Sequence, residues 1–309
     1  MPTGRFAPTP SADLHLGNLR TALVAWLFAR SAGSRFLLRV EDLDARPGSE
    51  AIAARQLADL AALGLDWDDP VTRQSEHRGR HEAVLADLVA AGLTYPCYCT
   101  RREVREAAAA PHGPARSYPG TCRSLSDEER AAREREGRPA ALRLRSDGRS
   151  VTVHDRIHGT VTAVVDDLVL RRNDGVPAYH LAVVVDDHDE GVEEVVRGDD
   201  LLDATPSQAH LCDLLGLPRP GWAHVPLVLG PDGRRLAKRH GDVTLAALTA
   251  SGRTAGDVLA ALAASLGLAE PGERASLATL LERFDPDELP REPWVLERLD
   301  PAPGDPSSP

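Results

Sequence analysis

Apolar residues recur along this chain in short blocks whose spacing switches between that of a strand and that of a helix. Residues 4–7 read as a short extended segment ending in a proline-rich turn. Leu19, Ala22, Leu23, Trp26 and Leu27 then return every three or four positions, which predicts a helix starting near Gly17. Arg35–Val40 has the pattern of a buried strand that delivers Glu41 and Asp42 at its end. Two further helical stretches follow, around 49–63 and 77–91. Strand, helix, strand, helix in this order predicts a parallel sheet with crossover helices.

From Tyr95 to about Arg145 cysteines and prolines break the pattern, and Ser126–Gly137 is the helix candidate within an insertion. Residues 151–153 and 160–165 read as a hairpin around a glycine-containing turn. Tyr179–Asp186 is a nearly continuous apolar run and is expected to be a central parallel strand. Pro206–Leu215 reads as a helix with Gly216 as its C-cap. Alanine- and leucine-rich helices fill 243–266, and the proline- and serine-rich 301–309 is expected to be disordered. The expected organisation is α/β: a discontinuous nucleotide-binding domain (1–94 and 166–245), an inserted subdomain (95–165) and a helical region (246–300).

Composition narrows the class of protein. A chain of 309 residues with 42% hydrophobic and 27% charged residues can bury a substantial core. No apolar run approaches a membrane span, so no membrane partner is expected. The N-terminus lacks the regions of a signal peptide. Four cysteines, two of them in a C-x-C pair, suggest a metal in a reducing compartment, hence a cytoplasmic protein. A net charge of −11 argues against a nonspecific nucleic-acid coat. A local basic groove remains open, since residues 1–40 set Arg5, Arg20, Arg30, Arg35 and Arg39 against the single acid Asp13. Nothing in the sequence demands more than a monomer.

Two distant motifs carry the chemistry. Arg5-Phe6-Ala7-Pro8-Thr9-Pro10 precedes His15-Leu16-Gly17-Asn18 at the mouth of the first helix. Far downstream, Arg235-Leu236-Ala237-Lys238-Arg239 follows a Gly-Pro-Asp-Gly turn. A glycine at a helix start admits a nucleotide, and the helix N-terminus offers N–H donors to phosphate. His15 and Asn18 add side-chain donors, and Lys238 a positive charge for leaving pyrophosphate. Together they predict one ATP site.

These motifs resemble the HIGH and KMSKS elements of class I aminoacyl-tRNA synthetases. Arg5–Thr9, Val40–Asp44, an expected Ala182–Asp187 strand with His188-Asp189, Arg197–Leu201 and Thr205–Gln208 narrow the resemblance to the glutamyl-tRNA synthetase catalytic core. It covers about residues 4–245 and implies a Rossmann-like parallel-sheet domain with an inserted subdomain. It implies ATP with Mg2+ at His15, Gly17, Asn18, Arg235, Lys238 and Arg239. It places Arg5, Phe6, Ala7, Pro8, Thr9, Glu41, Tyr179 and Arg197 around L-glutamate, with the arginines on carboxylates and Glu41 on the ammonium. Asn18 stands where the family has its second histidine, and Arg235 and Ala237 where it has lysine and serine. Of these only Ala237 loses a polar group.

Cys97, Cys99 and Cys122 offer three thiolates to one structural Zn2+, and Tyr118 matches the family's fourth ligand position, with His112 as the conventional rival. Cys212 reads as a core thiol. The chain extends about seventy residues past Lys238, too few for the family's anticodon-reading region. This resembles the truncated glutamyl-Q tRNA(Asp) synthetase branch, which activates glutamate without tRNA and attaches it to queuosine in the anticodon of tRNA(Asp). The rival expectations are a minimal glutamyl ligase charging a tRNA 3′ end, a generic nucleotidyltransferase, and a non-catalytic tRNA- or nucleotide-binding paralogue.

Overall fold

The computed structural model describes residues 3–44, 46–100, 102–104, 118–236 and 243–296. Two crossover units open the chain: β1 (Thr3–Phe6), α1 (Leu16–Ser31), β2 (Arg35–Val40), α2 (Ser49–Ala62), β3 (Thr72–Arg73) and α3 (Arg78–Ala90). β1 pairs in parallel with β2, and β2 with β3. The inserted stretch begins with β4 (Thr94–Cys97), α4 (Asp127–Arg135) and β5 (Ala141–Leu144). It continues through the antiparallel hairpin β6 (Ser150–Asp155) and β7 (Gly159–Val164) to β8 (Val169–Arg171). Then come α5 (Tyr179–Asp189), β9 (Glu194–Gly198), α6 (Thr205–Leu215), β10 (Gly221–Val225) and β11 (Val228–Leu229). Helices α7 (Leu245–Ala250), α8 (Ala255–Ser265) and α9 (Leu277–Arg283) and the short β12 (Trp294–Val295) complete the described chain.

The main sheet has the order β3-β2-β1-β9-β10-β6-β7, parallel throughout except for β7 at its edge. The expected hairpin forms, and β6 carries it onto the main sheet beside β10. β4, β5 and β8 make a separate antiparallel sheet. Between β1 and β9 the strand order reverses, and at such a switch point the strand ends leave a crevice for ligand.

α1 is buried on nearly every face because it lies between the sheet and the C-terminal helices. Gly4 permits that approach, since a Cβ there would stand 3.2 Å from the Cβ of Ala29. On the far side Phe28 meets Phe284 edge to face at 5.3 Å. Arg20 is buried with them, donating to the Pro226 carbonyl at 2.8 Å and to Ser265. Gly216 ends α6 at φ 66°, a left-handed cap that a residue with a Cβ adopts only under strain.

One element departs from the sequence expectation. Tyr179–Asp186, and with it Ala182–Asp187, is helix and not the central strand; β9 takes that place. A continuous apolar run has no period, so a strand buried on both faces and a helix buried all round read alike. α5 is such a helix, sharing a core with α3, α6 and the small sheet, and packing overrides the strand preference of its three consecutive valines. The helix turns Asp186 and Asp187 toward neighbouring clusters instead of opposite faces of a sheet. Asp186 accepts from Gln74, His77 and His81 at 2.8, 3.0 and 2.7 Å, whereas Asp187 meets Arg5 and Arg39.

Arg39 is fully buried and bonds Asp187 at 2.7 Å and Glu190 at 2.6 Å, with Glu41 at 3.6 Å. Burial works against its charge, but these acids more than offset that and raise its pKa. Replacing Arg39 by methionine strands the acids, so unfolding stability at pH 7.5 should fall by about 3–5 kcal/mol. Urea titrations of the native and variant proteins at that pH measure the loss.

Candidate active site

A cavity of about 430 Å3 opens at the carboxyl ends of β1, β2 and β9, at the switch point. Arg5, Phe6, Ala7, Pro8, Thr9, His15, Gly17, Asn18, Glu41, Tyr179, Arg197 and Arg235 all line it. Lys238 and Arg239, together with Ala237, lie outside the described residues. Two motifs more than two hundred residues apart thus meet in one cavity through Arg235.

The mouth of α1 is built by a reciprocal cap. His15 Nδ1 accepts from the backbone N–H of Gly17 at 3.1 Å and of Asn18 at 3.3 Å, while Asn18 Oδ1 accepts from the N–H of His15 at 3.2 Å. Because Nδ1 accepts, the ring proton sits on Nε2. Burial first, and then the Arg235 charge, lowers the His15 pKa and favours that neutral ring. A Cβ on Gly17 would lie 2.9 Å from His15 Cε1, so the glycine makes room for the imidazole. The first-turn amides that the sequence offered to phosphate are already bonded, with Leu16 N–H donating to Val243. Not used by the cap are His15 Nε2–H and the Asn18 amide nitrogen.

The floor of the cavity holds the charged groups. Arg5, from β1, makes a fork to Asp187 with Nε and Nη2 at 3.1 and 3.0 Å and donates from Nη1 to the Val196 carbonyl. That leaves one proton on each Nη outside these bonds. Although burial pushes the Asp187 carboxyl up, Arg5 and Arg39 hold it below the ordinary range. Glu41 is buried beside them, and burial raises its carboxyl to about 7 against the pull of Arg39 and Arg5. Tyr179 lies at the first turn of α5, its hydroxyl pKa raised by burial and then by the Glu41 charge.

Arg197 differs from Arg5 in its partners. It donates from Nε to His224 at 3.0 Å, and from Nη2 to Thr205 at 2.9 Å and Gln208 at 2.7 Å, all neutral acceptors. Among the described residues no carboxylate is within ion-pair distance of it. Burial accordingly lowers its pKa. Gln208 continues to His180 at 3.1 Å, whose pKa burial and then Arg197 push down to about 4.

Several residues with a part in this geometry escaped the sequence reading. Arg39, Asp187 and His224 act from beneath the cavity, and Gln56 holds its entrance loop through the Thr9 and Ala12 carbonyls at 3.0 and 2.7 Å. Asp200 pairs with Arg235 at 2.6 Å across the rim. The available signal was polar residues inside apolar runs, as in Val183–Asp187 and Trp222–Val225. Asp42, singled out beside Glu41, points to Ser75 and does not line the cavity.

The three cysteines come together apart from this cavity. Their sulfur atoms lie within 4.8 Å of one another, and Cys99 and Cys122 are 3.5 Å apart. Tyr118 Oη is 3.3 Å from Cys97 Sγ and 3.7 Å from Cys99 Sγ. Four donors on such edges match a tetrahedron around an ion with Zn–S distances of about 2.3 Å. The cluster can hold a metal ion; His112 lies outside the described residues.

Residues 3–278 match the family model "tRNA synthetases class I (E and Q), catalytic domain". The chain belongs to this family. It is an ATP-dependent ligase of the class I aminoacyl-tRNA synthetases. A Nocardia farcinica protein named glutamyl-Q tRNA(Asp) synthetase is 64% identical over 81% of this chain and 80% of its own length. A protein of the same name from Symbiobacterium thermophilum is 50% identical, with 81% of each chain covered. The crystal structure of a glutamate tRNA ligase from Elizabethkingia meningosepticum in complex with its amino acid superposes with a TM-score of 0.80. That match has 28% identity and covers 96% of this chain and 67% of that one. Among the described residues no helix is long and apolar enough to cross a membrane.

The raised pKa of Glu41 fixes the sign of a stability effect. Folding disfavours its ionised form, so its contribution is most favourable below the ordinary carboxyl pKa and is lost as pH rises through about 7. Glu41→Gln should therefore raise the melting temperature at pH 8 and change it little at pH 5; calorimetry at both pH values checks this.

Proposed function

We propose that the enzyme activates L-glutamate with ATP to glutamyl-adenylate without needing tRNA, and then transfers the glutamyl group to queuosine in the anticodon of tRNA(Asp). The observation that carries the first step is the meeting of Arg5, Arg197, Glu41 and the His15–Asn18 helix mouth in one cavity. Glutamate brings two carboxylates and an ammonium. Arg5 and Arg197 supply the two guanidiniums and Glu41 the acid, in a site dry enough to strengthen each pairing.

Glu41 acts on the ammonium. Burial, and then the Asp187 and Asp186 charges, raise the Glu41 carboxyl against the pull of Arg39 and Arg5, so a further cation beside it is favourable. Its arrival stabilises the ionised carboxylate. A carboxylate oxygen of glutamate then attacks the α-phosphorus of ATP, and the bond to the pyrophosphate oxygen breaks. His15 Nε2–H and the Asn18 amide donate to the phosphate oxygens as charge moves onto them. Mg2+ would neutralise the phosphates alongside these donors. Lys238 and Arg239 are the expected cations on the leaving pyrophosphate, with Ala237 lacking the family's hydroxyl.

In the second step a queuosine ring hydroxyl attacks the activated acyl carbon, and the acyl–phosphate bond breaks to release AMP. The name shared by the two relatives supports this acceptor. Charging of a tRNA 3′ end is the second reading, favoured by the superposition on a glutamate tRNA ligase. For the insertion we propose one structural Zn2+ on Cys97, Cys99, Cys122 and Tyr118, holding a segment with little apolar core of its own.

Glutamate-dependent exchange of pyrophosphate into ATP should proceed without tRNA, and other amino acids should not support it. After ribonuclease digestion the labelled glutamate should be found on the anticodon-loop fragment and not on the terminal adenosine of tRNA(Asp), and it should fail to attach to tRNA that lacks queuosine. Label on the terminal adenosine overturns the acceptor, and exchange that appears only when tRNA is added overturns the tRNA-independent activation. Purified protein should release about one equivalent of zinc to a chromogenic chelator on thiol blocking, and Tyr118→Phe should speed that release.

A further inference from the structure

The partners of Arg197 form a line that ends in a buried acid. Asp155, at the end of β6, accepts from His224 Nδ1 at 2.6 Å, and His224 Nε2 accepts from Arg197 Nε at 3.0 Å. Asp155 and His224 are each wholly buried. The acid does not reach the guanidinium directly, and among the described residues no carboxylate is bonded to Arg197. Its Nη1 is the nitrogen that these bonds leave unused.

The hydrogen bonds dictate a single tautomer. Arg197 Nε is always a donor, so His224 Nε2 must be bare and its proton must sit on Nδ1. Asp155 enforces this by accepting that proton. Its other oxygen, Oδ1, is held by the backbone N–H groups of Ile157 at 3.0 Å and His158 at 2.9 Å, with the N–H of His224 shared between both oxygens. The carboxylate is therefore pinned in one orientation by the turn that closes the β6–β7 hairpin. Burial pushes the Asp155 carboxyl up, but His224 and these amides hold it below its usual range.

We infer that Asp155 and His224 are positioning residues for Arg197: the acid selects the His224 tautomer that orients the guanidinium, while leaving it without a bonded carboxylate and so open to one from the substrate. This rests on the proposed role of Arg197 in binding glutamate. The arrangement has a specific consequence. In Asp155→Asn the amide oxygen stays with the backbone donors, which forces the NH2 group toward His224 Nδ1. That group can only donate, so the histidine proton moves to Nε2 and two donors face each other across 3.0 Å.

Long-range nitrogen–proton NMR on the full chain should show His224 protonated on Nδ1 in the native enzyme and on Nε2 in D155N. In pyrophosphate exchange D155N should raise KM for glutamate about tenfold or more, with KM for ATP and kcat within about twofold. Adding H224Q to D155N should recover most of the affinity, because an amide oxygen can face Arg197 whichever group occupies position 155. Should D155N not fold, H224F and H224Q provide the same contrast. H224F has no acceptor and should lose about tenfold, whereas H224Q should stay within about threefold of native. An unchanged tautomer, or an unchanged KM in D155N and H224F, overturns the relay when Arg197→Ala raises KM for glutamate. If R197A leaves that KM unchanged, the assignment of Arg197 falls and the relay falls with it.

Discussion

The carboxylate of Asp187, shared between the guanidiniums of Arg5 and Arg39, ties α5 to β1 and β2 beneath the cavity. All three groups are buried, so separating them would strip charges of their pairing with no water to replace it. The position of the substrate pocket follows from this join. It orients Arg5, buries Glu41 between the two guanidiniums and two acids, and places Tyr179 at the cavity through the first turn of the same helix. A pocket whose burial disfavours the ionised Glu41 carboxyl is suited to a ligand that carries an ammonium.

The two arginines of the pocket are prepared differently. Arg5 has an acid of its own and offers its remaining protons, so its net attraction for a second carboxylate is tempered by Asp187. Arg197 is held by neutral acceptors and has no carboxylate bonded to it, so Asp187 and Tyr179 act on its charge only from a distance. At the phosphate side the same economy appears in the cap of α1. His15 satisfies the first-turn amides itself and faces outward with a neutral N–H, so the helix mouth presents side-chain donors where backbone donors were expected.

Much of this was legible in the chain because local pattern and local chemistry agreed. The helix at Gly17, the strand at Arg35–Val40, the hairpin and the Gly216 cap all formed where spacing and turn residues put them. The residues named around the cavity carry recognisable motifs, and those described converge on one space. The run at Tyr179–Asp186 was misread because burial on all sides erases the period on which the reading depends. His224 and Asp155 were invisible for a related reason: a buried histidine or aspartate in a strand looks the same whether it serves a neighbour or merely fills space.

By itself the sequence determined the reaction class, since the Arg5–Asn18 and Arg235–Arg239 motifs need no coordinates to be recognised. It determined the three thiolates as well, because their spacing within a short insertion is a local property. The tertiary structure alone decided which charges compensate one another. Pairing of Arg5 with Asp187, and of His224 with Asp155, joins residues far apart in the chain, and ionisation energies in a buried site depend on distances that no linear pattern encodes.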